Sequence, residues 1–174
     1  MMRKIVFTGP ESTGKTTLTE KLAGFLNLPH VQEVSRAYIH NLNGIYSYED
    51  LCSIAMLQMS EEEKIKSLNP HVLICDTDLL TIKIWCEDKF QQCDLWLTHA
   101  FADRTPEMYF LCSPDFPWVP DPLREDETRR DELYQVHKEH LIQYRKRFIE
   151  LTGSVENRMN TVLGYLELSQ GNLF

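Results

Sequence analysis

The chain has 174 residues, 43% of them hydrophobic and 25% charged, proportions that suit one globular domain spanning 1–174 and exclude wholesale disorder. Its formal net charge of −8 argues against gripping nucleic acid through a broad basic face. The five cysteines (Cys52, Cys75, Cys86, Cys93 and Cys112) are odd in number and form no Cys-x-x-Cys pair, so reduced thiols of a cytoplasmic protein are expected, and no apolar stretch has the length of a signal peptide or membrane span.

The first apolar run, Ile5-Val6-Phe7, reads as a buried strand. Gly9 follows, then four residues, then Gly14-Lys15-Thr16, which is the G-x-x-x-x-G-K-[ST] phosphate loop. Its chemistry needs those residue types at that spacing. The glycines permit a tight turn whose backbone N–H groups converge on a polyphosphate, and the helix that opens near Gly14 adds its positive end. Gly9, Glu11, Ser12, Thr13, Gly14, Lys15, Thr16 and Thr17 are therefore candidate ATP contacts, with Lys15 reaching the β- and γ-phosphates and the Thr16 hydroxyl ligating Mg²⁺. Leu18, Leu22 and Phe25 fall at i, i+4, i+7, as on the buried stripe of a helix.

His30–Val34 reads as a short second strand, adjacent to the first in many such folds, with Glu33 and Arg36 at its carboxyl end. A kinase needs a carboxylate there to orient the acceptor hydroxyl and take its proton, which suits Glu33; Arg36 would bind phosphate or fix that carboxylate. A surface ion pair is the plainer alternative. Ser47 with Asp50 forms a capping box for a helix running to about Leu68, ended by Asn69-Pro70. His71–Cys75 is a continuous apolar run of the kind buried on both faces of a parallel sheet. Asp76 at its carboxyl end suits a Mg²⁺ carboxylate, and Asp78 suits a share in that site. Helix N-capping is the competing use of either aspartate.

A helical stretch with Leu80, Ile84 and Trp85 comes next, then a strand at Met108–Cys112. Ser113–Pro122 carries four prolines and two aromatics, a stiff arm, and Leu123 to about Arg147 reads as charged helix. Arginines at its start, Arg124 first and Arg129 with it, would close over the transferring phosphoryl as a lid covering about 115–132. A solvated helix of alternating charge is the other reading. Phe148–Leu151 is a fifth strand and Val155–Leu168 the last helix, where Arg158 is placed to lie on the adenine face. Trp85, Phe116 and Trp118 are candidates to sandwich a planar ring, although each is as suited to a core. Strands separated by helices imply an α/β three-layer sandwich around a parallel sheet of about five strands.

Gly9–Leu18, Gln32-Glu33-Val34-Ser35-Arg36, Asp76-Thr77-Asp78-Leu79-Leu80-Thr81 with Ile84-Trp85, and Pro117–Arg124 together resemble the bacterial ribosylnicotinamide kinase family, the kinase module of NAD-biosynthesis regulators. The resemblance covers nearly the whole chain. It implies a P-loop nucleoside-kinase-like fold, and transfer of phosphate from ATP, with Mg²⁺, to the ribose 5′-hydroxyl of nicotinamide riboside. It places Glu33, Asp76 and Asp78 around ribose and Mg²⁺ and Trp85 and Trp118 near the nicotinamide; Arg36 and Asp121 are further candidate substrate contacts. The partner is then a small nucleoside, with no nucleic acid or membrane, and a homo-oligomer is compatible. Pro122 stands where the family often has glycine, stiffening the arm, and no adenylyltransferase or DNA-binding module accompanies the kinase. Other nucleoside or nucleoside monophosphate kinases share every generic part. A nucleotide-sensing switch is the alternative of another class. A GTPase is disfavoured, because no Asn-Lys-x-Asp occurs and Asp76 lacks a glycine two residues on.

Overall fold

Five apolar runs pair as one parallel sheet in the computed structural model, which describes residues 2–170. The strands are β1 (Arg3–Thr8), β2 (His30–Val31), β3 (Val72–Asp76), β4 (Met108–Cys112) and β5 (Phe148–Leu151), in the order β2-β3-β1-β4-β5. Parallel pairing requires each connection to cross back over the sheet. The helices in those connections are α1 (Lys15–Leu26), α2 (Val34–Asn41), α3 (Tyr48–Lys66), α4 (Leu79–Phe90), α5 (Leu95–Asp103) and α6 (Arg130–Gln143), and α7 (Val155–Gln170) follows the last strand.

Successive strand residues face opposite ways, and the core divides accordingly. Ile5, Phe7, Ile74 and Phe110 pack under Leu18 and Leu22 of α1 and Val162 and Leu166 of α7. Val6, Leu73, Tyr109 and Leu111 pack against Leu51 and Ile54 of α3, Leu80 and Ile84 of α4, Phe101 of α5 and Leu141 of α6. The result is the expected three-layer α/β sandwich. Phe7 is in register with Asp76 on one side and Phe110 on the other. The carboxyl tips of β1, β3 and β4 thus share one edge, where ligands bind in open parallel sheets.

Several boundaries differ from the sequence reading. The second strand is two residues long, and Glu33 already stands at the N-cap of α2. It is also not β1's neighbour, because β3 lies between them. Phe25 is 69% exposed, so the buried stripe of α1 runs through Leu18, Thr19, Leu22 and Ala23. The charged helix starts at Arg130, not Leu123: prolines 114, 117, 120 and 122 cannot donate backbone hydrogen bonds, and the residues after them turn. Two helices, α2 and α5, carry no strong pattern in the sequence. The capping box is as expected: Asp50 N donates to Ser47 Oγ, and Ser47 N donates to Asp50 Oδ2 at 2.8 Å. Among the described residues no helix is long and apolar enough to cross a membrane, and all five cysteines are free.

Candidate active site

Gly9 to Gly14 links the tip of β1 to the first turn of α1, and two of its positions admit only glycine. At Gly9 the backbone has φ 130°, and a Cβ there would sit 2.7 Å from the Cys112 carbonyl oxygen. At Gly14, with φ 79°, a Cβ would meet the Phe116 ring at 2.9 Å. Lys15 Nζ lies across the loop and donates to the Pro10 carbonyl at 2.6 Å, and Thr13 Oγ1 donates to the same oxygen at 2.9 Å. A phosphate oxygen would replace that neutral acceptor with a charged one, and charge-assisted bonds are about twice as strong.

Arg158 supports this loop from behind. It is fully buried and donates to the carbonyls of Thr13 at 2.9 Å, Gly153 at 3.0 Å and Ser113 at 3.1 Å, with Asp115 as its carboxylate partner. Its guanidinium lies 4.3 Å from the Phe116 ring centroid. The expectation that it stacks on adenine is corrected: its plane is covered by Phe116 and its donors are directed at backbone.

At the tip of β3, Thr16 Oγ1 donates to Asp76 Oδ2 at 2.6 Å. The other oxygen, Asp76 Oδ1, is buried with no partner among the described residues. Burial first, and then the charge of Glu33, push the Asp76 carboxyl above its ordinary range, against Thr16, Lys15 and Arg36. A buried carboxylate with a free oxygen beside a hydroxyl fits a divalent cation. No cluster of three or more His, Cys, Asp or Glu arranged to hold a metal occurs among the described residues, so phosphate and water would complete such a cation's shell, as Mg²⁺ prefers.

Asp78 is different. It accepts from Leu80 N at 3.0 Å as the N-cap of α4 and from the Tyr109 hydroxyl at 2.6 Å. Both oxygens are taken and the residue is buried, which corrects its expected place beside the ribose in favour of capping.

A cleft of about 1070 Å³, open mouth included, joins the loop to Glu33, Arg36, Trp85 and Arg124. Glu33 accepts from Ser35 Oγ at 3.0 Å and lies 3.9 Å from Arg36 Nε; Arg36 also pairs with Asp121 at 2.9 Å. Asp121 thus reaches the cleft through Arg36. Trp85 Nε1 donates to the Tyr46 hydroxyl at 2.9 Å, and the two rings meet edge-on. Trp118 lies outside the cleft walls, with Arg124 and Arg130 5.9 and 5.8 Å from its ring centroid, which corrects its expected position near the nicotinamide.

The proline arm is docked over the loop. Glu11 accepts from the amides of Glu125 at 2.9 Å and Asp126 at 3.2 Å, and Val119 N donates to Ser12 Oγ at 3.1 Å. Arg130, which sequence reasoning passed over, donates to the carbonyls of Ser12 at 3.3 Å and Phe116 at 2.9 Å. Arg129 forms a bidentate pair with Asp88 at 2.6 and 3.0 Å and a further one with Glu132. It is thereby a clamp between lid and α4 here. Thr81 and His137 also line the cleft; Thr81 closes the Asp76–Thr81 block but the sequence assigns it no role there, and no motif marks a lone histidine on a helix.

Fold and loop define an α/β phosphate-loop protein of the nucleoside-kinase type. A family model described as an AAA domain (AAA_28) matches residues 4–158, and the chain belongs to that family, with its likeness to the NadR ribosylnicotinamide-kinase type that its motifs implied. It is 28% identical over 128 residues to the trifunctional NAD biosynthesis/regulator protein NadR of Salmonella typhimurium LT2, and equally to that of Escherichia coli K12. Each match covers 71% of this chain and 31% of the relative, so the chain spans about a third of the curated relatives it matches. A NadR protein solved in complex with NAD and AMP-PNP superposes with a TM-score of 0.80 at 19% identity, covering 94% of this chain and 49% of that one. Deoxyadenosine kinase from M. mycoides superposes at 0.64 with 15% identity, covering 94% and 98%.

Two outcomes follow from this geometry. Glu11→Ala removes the carboxylate that holds the Glu125 and Asp126 amides, so their hydrogen exchange should quicken by about tenfold or more, the worth of a charged hydrogen bond; unchanged exchange would show that the latch does not hold the arm. The second concerns His137, whose pKa falls from 6.5 to about 3, chiefly through burial, with the charges of Lys15 and His140 adding to it. The unfolded chain takes up this proton below about pH 6.5 and the folded chain refuses it until about pH 3, so stability is lost as pH falls through that window. Between pH 7.5 and 5, chemical denaturation should show wild type losing about 1–2 kcal/mol more than His137→Leu; equal losses would contradict the assignment.

Proposed function

We propose that the protein is an ATP-dependent kinase that phosphorylates the 5′-hydroxyl of nicotinamide riboside, giving nicotinamide mononucleotide and ADP. The observation that carries this reading is the continuity of one cleft from the phosphate loop to the Glu33–Arg36 pair. A donor phosphate and an acceptor hydroxyl bound at its two ends would meet in line. The chemistry asks the protein chiefly for position and charge. The loop amides and Lys15 hold the β- and γ-phosphates. Glu33 accepts the proton of the 5′-hydroxyl as its oxygen bonds to the γ-phosphorus and the bond to the ADP oxygen breaks. Arg124, on the cleft wall, neutralises charge that develops on the transferring group. Thr16 and Asp76 would hold Mg²⁺, which supplies charge neutralisation between the β- and γ-phosphates. Trp85 offers an aromatic edge for a flat base, and the latched arm excludes water from the transfer.

The likeness to NAD biosynthesis/regulator proteins, with the family resemblance of the motifs, motivates nicotinamide riboside as acceptor, and the deoxyadenosine kinase likeness keeps other nucleosides in the test. A panel of nicotinamide riboside, thymidine, uridine and nucleoside monophosphates, read by ADP release and by mass of the phosphorylated product, decides between them. We expect nicotinamide mononucleotide in step with ADP, and a loss of about 100-fold or more in kcat for Lys15→Ala, from removal of a charge aimed at the transition state. Phosphorylation of another nucleoside in its place would overturn the acceptor, and ATP turnover independent of any acceptor would overturn the kinase.

A further inference from the structure

Two helices of the cleft wall each present one polar atom that the protein leaves unpaired. Thr81 Oγ1 on α4 and His137 Nε2 on α6 are buried without a hydrogen-bond partner among the described residues, and both residues line the cleft. His137 is only 3% exposed. Each orphaned buried polar group costs about 1–3 kcal/mol, and nearly all such groups in folded proteins find a partner. Their neighbours on the same helix faces, Ile84 and Leu133, are apolar. The polarity of these two positions is therefore not explained by packing.

Their hydrogen-bonding character is fixed by what surrounds them. His137 Nδ1 lies 2.8 Å from the Leu133 carbonyl oxygen. A carbonyl only accepts, so the ring proton sits on Nδ1 and Nε2 offers a lone pair. Burial keeps the ring neutral across the working pH range. The Thr81 hydroxyl both donates and accepts. Together they suit a ligand carrying adjacent hydroxyls, one donating to the imidazole and one exchanging bonds with the threonine.

Location selects the sugar over the base. Arg129 meets Asp88 near the start of α6, whereas His140 further along it meets Lys83 and Glu87, so α6 rises as α4 descends. Between those two contacts His137 lies alongside α4, in whose first turn Thr81 follows closely on Asp76 and Asp78 at the β3 tip. Lys15 of the phosphate loop is among the charges His137 experiences. Trp85, the aromatic wall, lies a turn beyond Thr81. The unpaired atoms thus stand at the phosphoryl end of the acceptor half.

We propose that Thr81 and His137 are specificity-determining residues that hydrogen-bond the 2′- and 3′-hydroxyls of the acceptor, making the enzyme selective for ribonucleosides over 2′-deoxyribonucleosides. This rests on the kinase reading of the cleft but not on which base the acceptor carries. Neither atom is open to solvent with the arm latched, so the bonds form as the cleft walls part around the sugar.

The test measures kcat/KM for nicotinamide riboside, uridine and adenosine, each beside its 2′-deoxy counterpart, in wild type, Thr81→Val and His137→Leu. Wild type should prefer the riboside by about 10-fold or more, because a site built around a hydroxyl rejects the analogue that lacks it. The variant that loses the 2′-hydroxyl contact should cut that preference by about fivefold or more through a raised KM for the riboside, while the deoxyriboside, which also reports folding, changes by less than about threefold. The variant that loses the 3′-hydroxyl contact, a group both sugars carry, should raise KM for both. An unchanged ratio in both variants, no preference in wild type, or parallel loss of both sugars in both variants would overturn the proposal. Should nicotinamide riboside go unphosphorylated while another riboside is used, the proposed acceptor fails and the ratio on that riboside still decides this point. No turnover of any nucleoside would end both.

Discussion

The site depends on a close approach that only a chain without side chains can make. The Gly9 backbone runs against the Cys112 carbonyl, and Gly14 runs against the Phe116 ring, with no room for a Cβ at either place. The loop is thereby pressed between the tips of β1 and β4 and the root of the proline arm. Arg158 completes the clamp by tying Thr13 to Ser113 and Gly153 through one buried guanidinium. An anion site made of backbone N–H groups works only if they are held converged before the ligand arrives. The sheet order, the arm and the last helix all contribute to that rigidity.

Charge explains how an acidic protein of net −8 offers a home to polyphosphate. The attraction is local, from loop amides, the α1 N-terminus and Lys15. Around it the carboxylates are arranged in two sets. Asp76 and Glu33 stand near one another beside the loop, and the charge of Glu33 adds to burial in raising the proton affinity of Asp76. Asp121, Asp88 and Glu132 are held by arginines of the arm and of α2. Glu11 belongs to the loop yet serves the arm, accepting two of its amides. Loop and arm are joined through Glu11 and through Ser12, which accepts from Val119 N and Arg130.

What the sequence disclosed follows from the range of the forces involved. Continuous apolar runs located β4 and β5 to the residue, and the glycine spacing located the loop, because each is a local demand on backbone or burial. The Ser47–Asp50 cap is likewise local. Partner choice is not. Arg158 reads as an arginine for the adenine face until Phe116 and three carbonyls are seen to surround it. Asp78 looks like a second metal ligand until Tyr109, 31 residues away, takes its remaining oxygen. Trp118 lies near two arginines, Arg124 and Arg130, of which the sequence marks only Arg124, and that for phosphate. Helix α2 escaped notice because its β-branched start continues the preceding strand pattern, and α5 because its nine residues carry only Leu97 and Phe101 to the core.

The most direct test of the account is a crystal structure of the protein grown with AMP-PNP and Mg²⁺. The account predicts that Lys15 Nζ leaves the Pro10 carbonyl for phosphate oxygens, that the loop amides from Ser12 to Thr17 line the phosphates, and that Arg158 keeps its three carbonyls. Triphosphate bound elsewhere, with Lys15 still on Pro10, would contradict it.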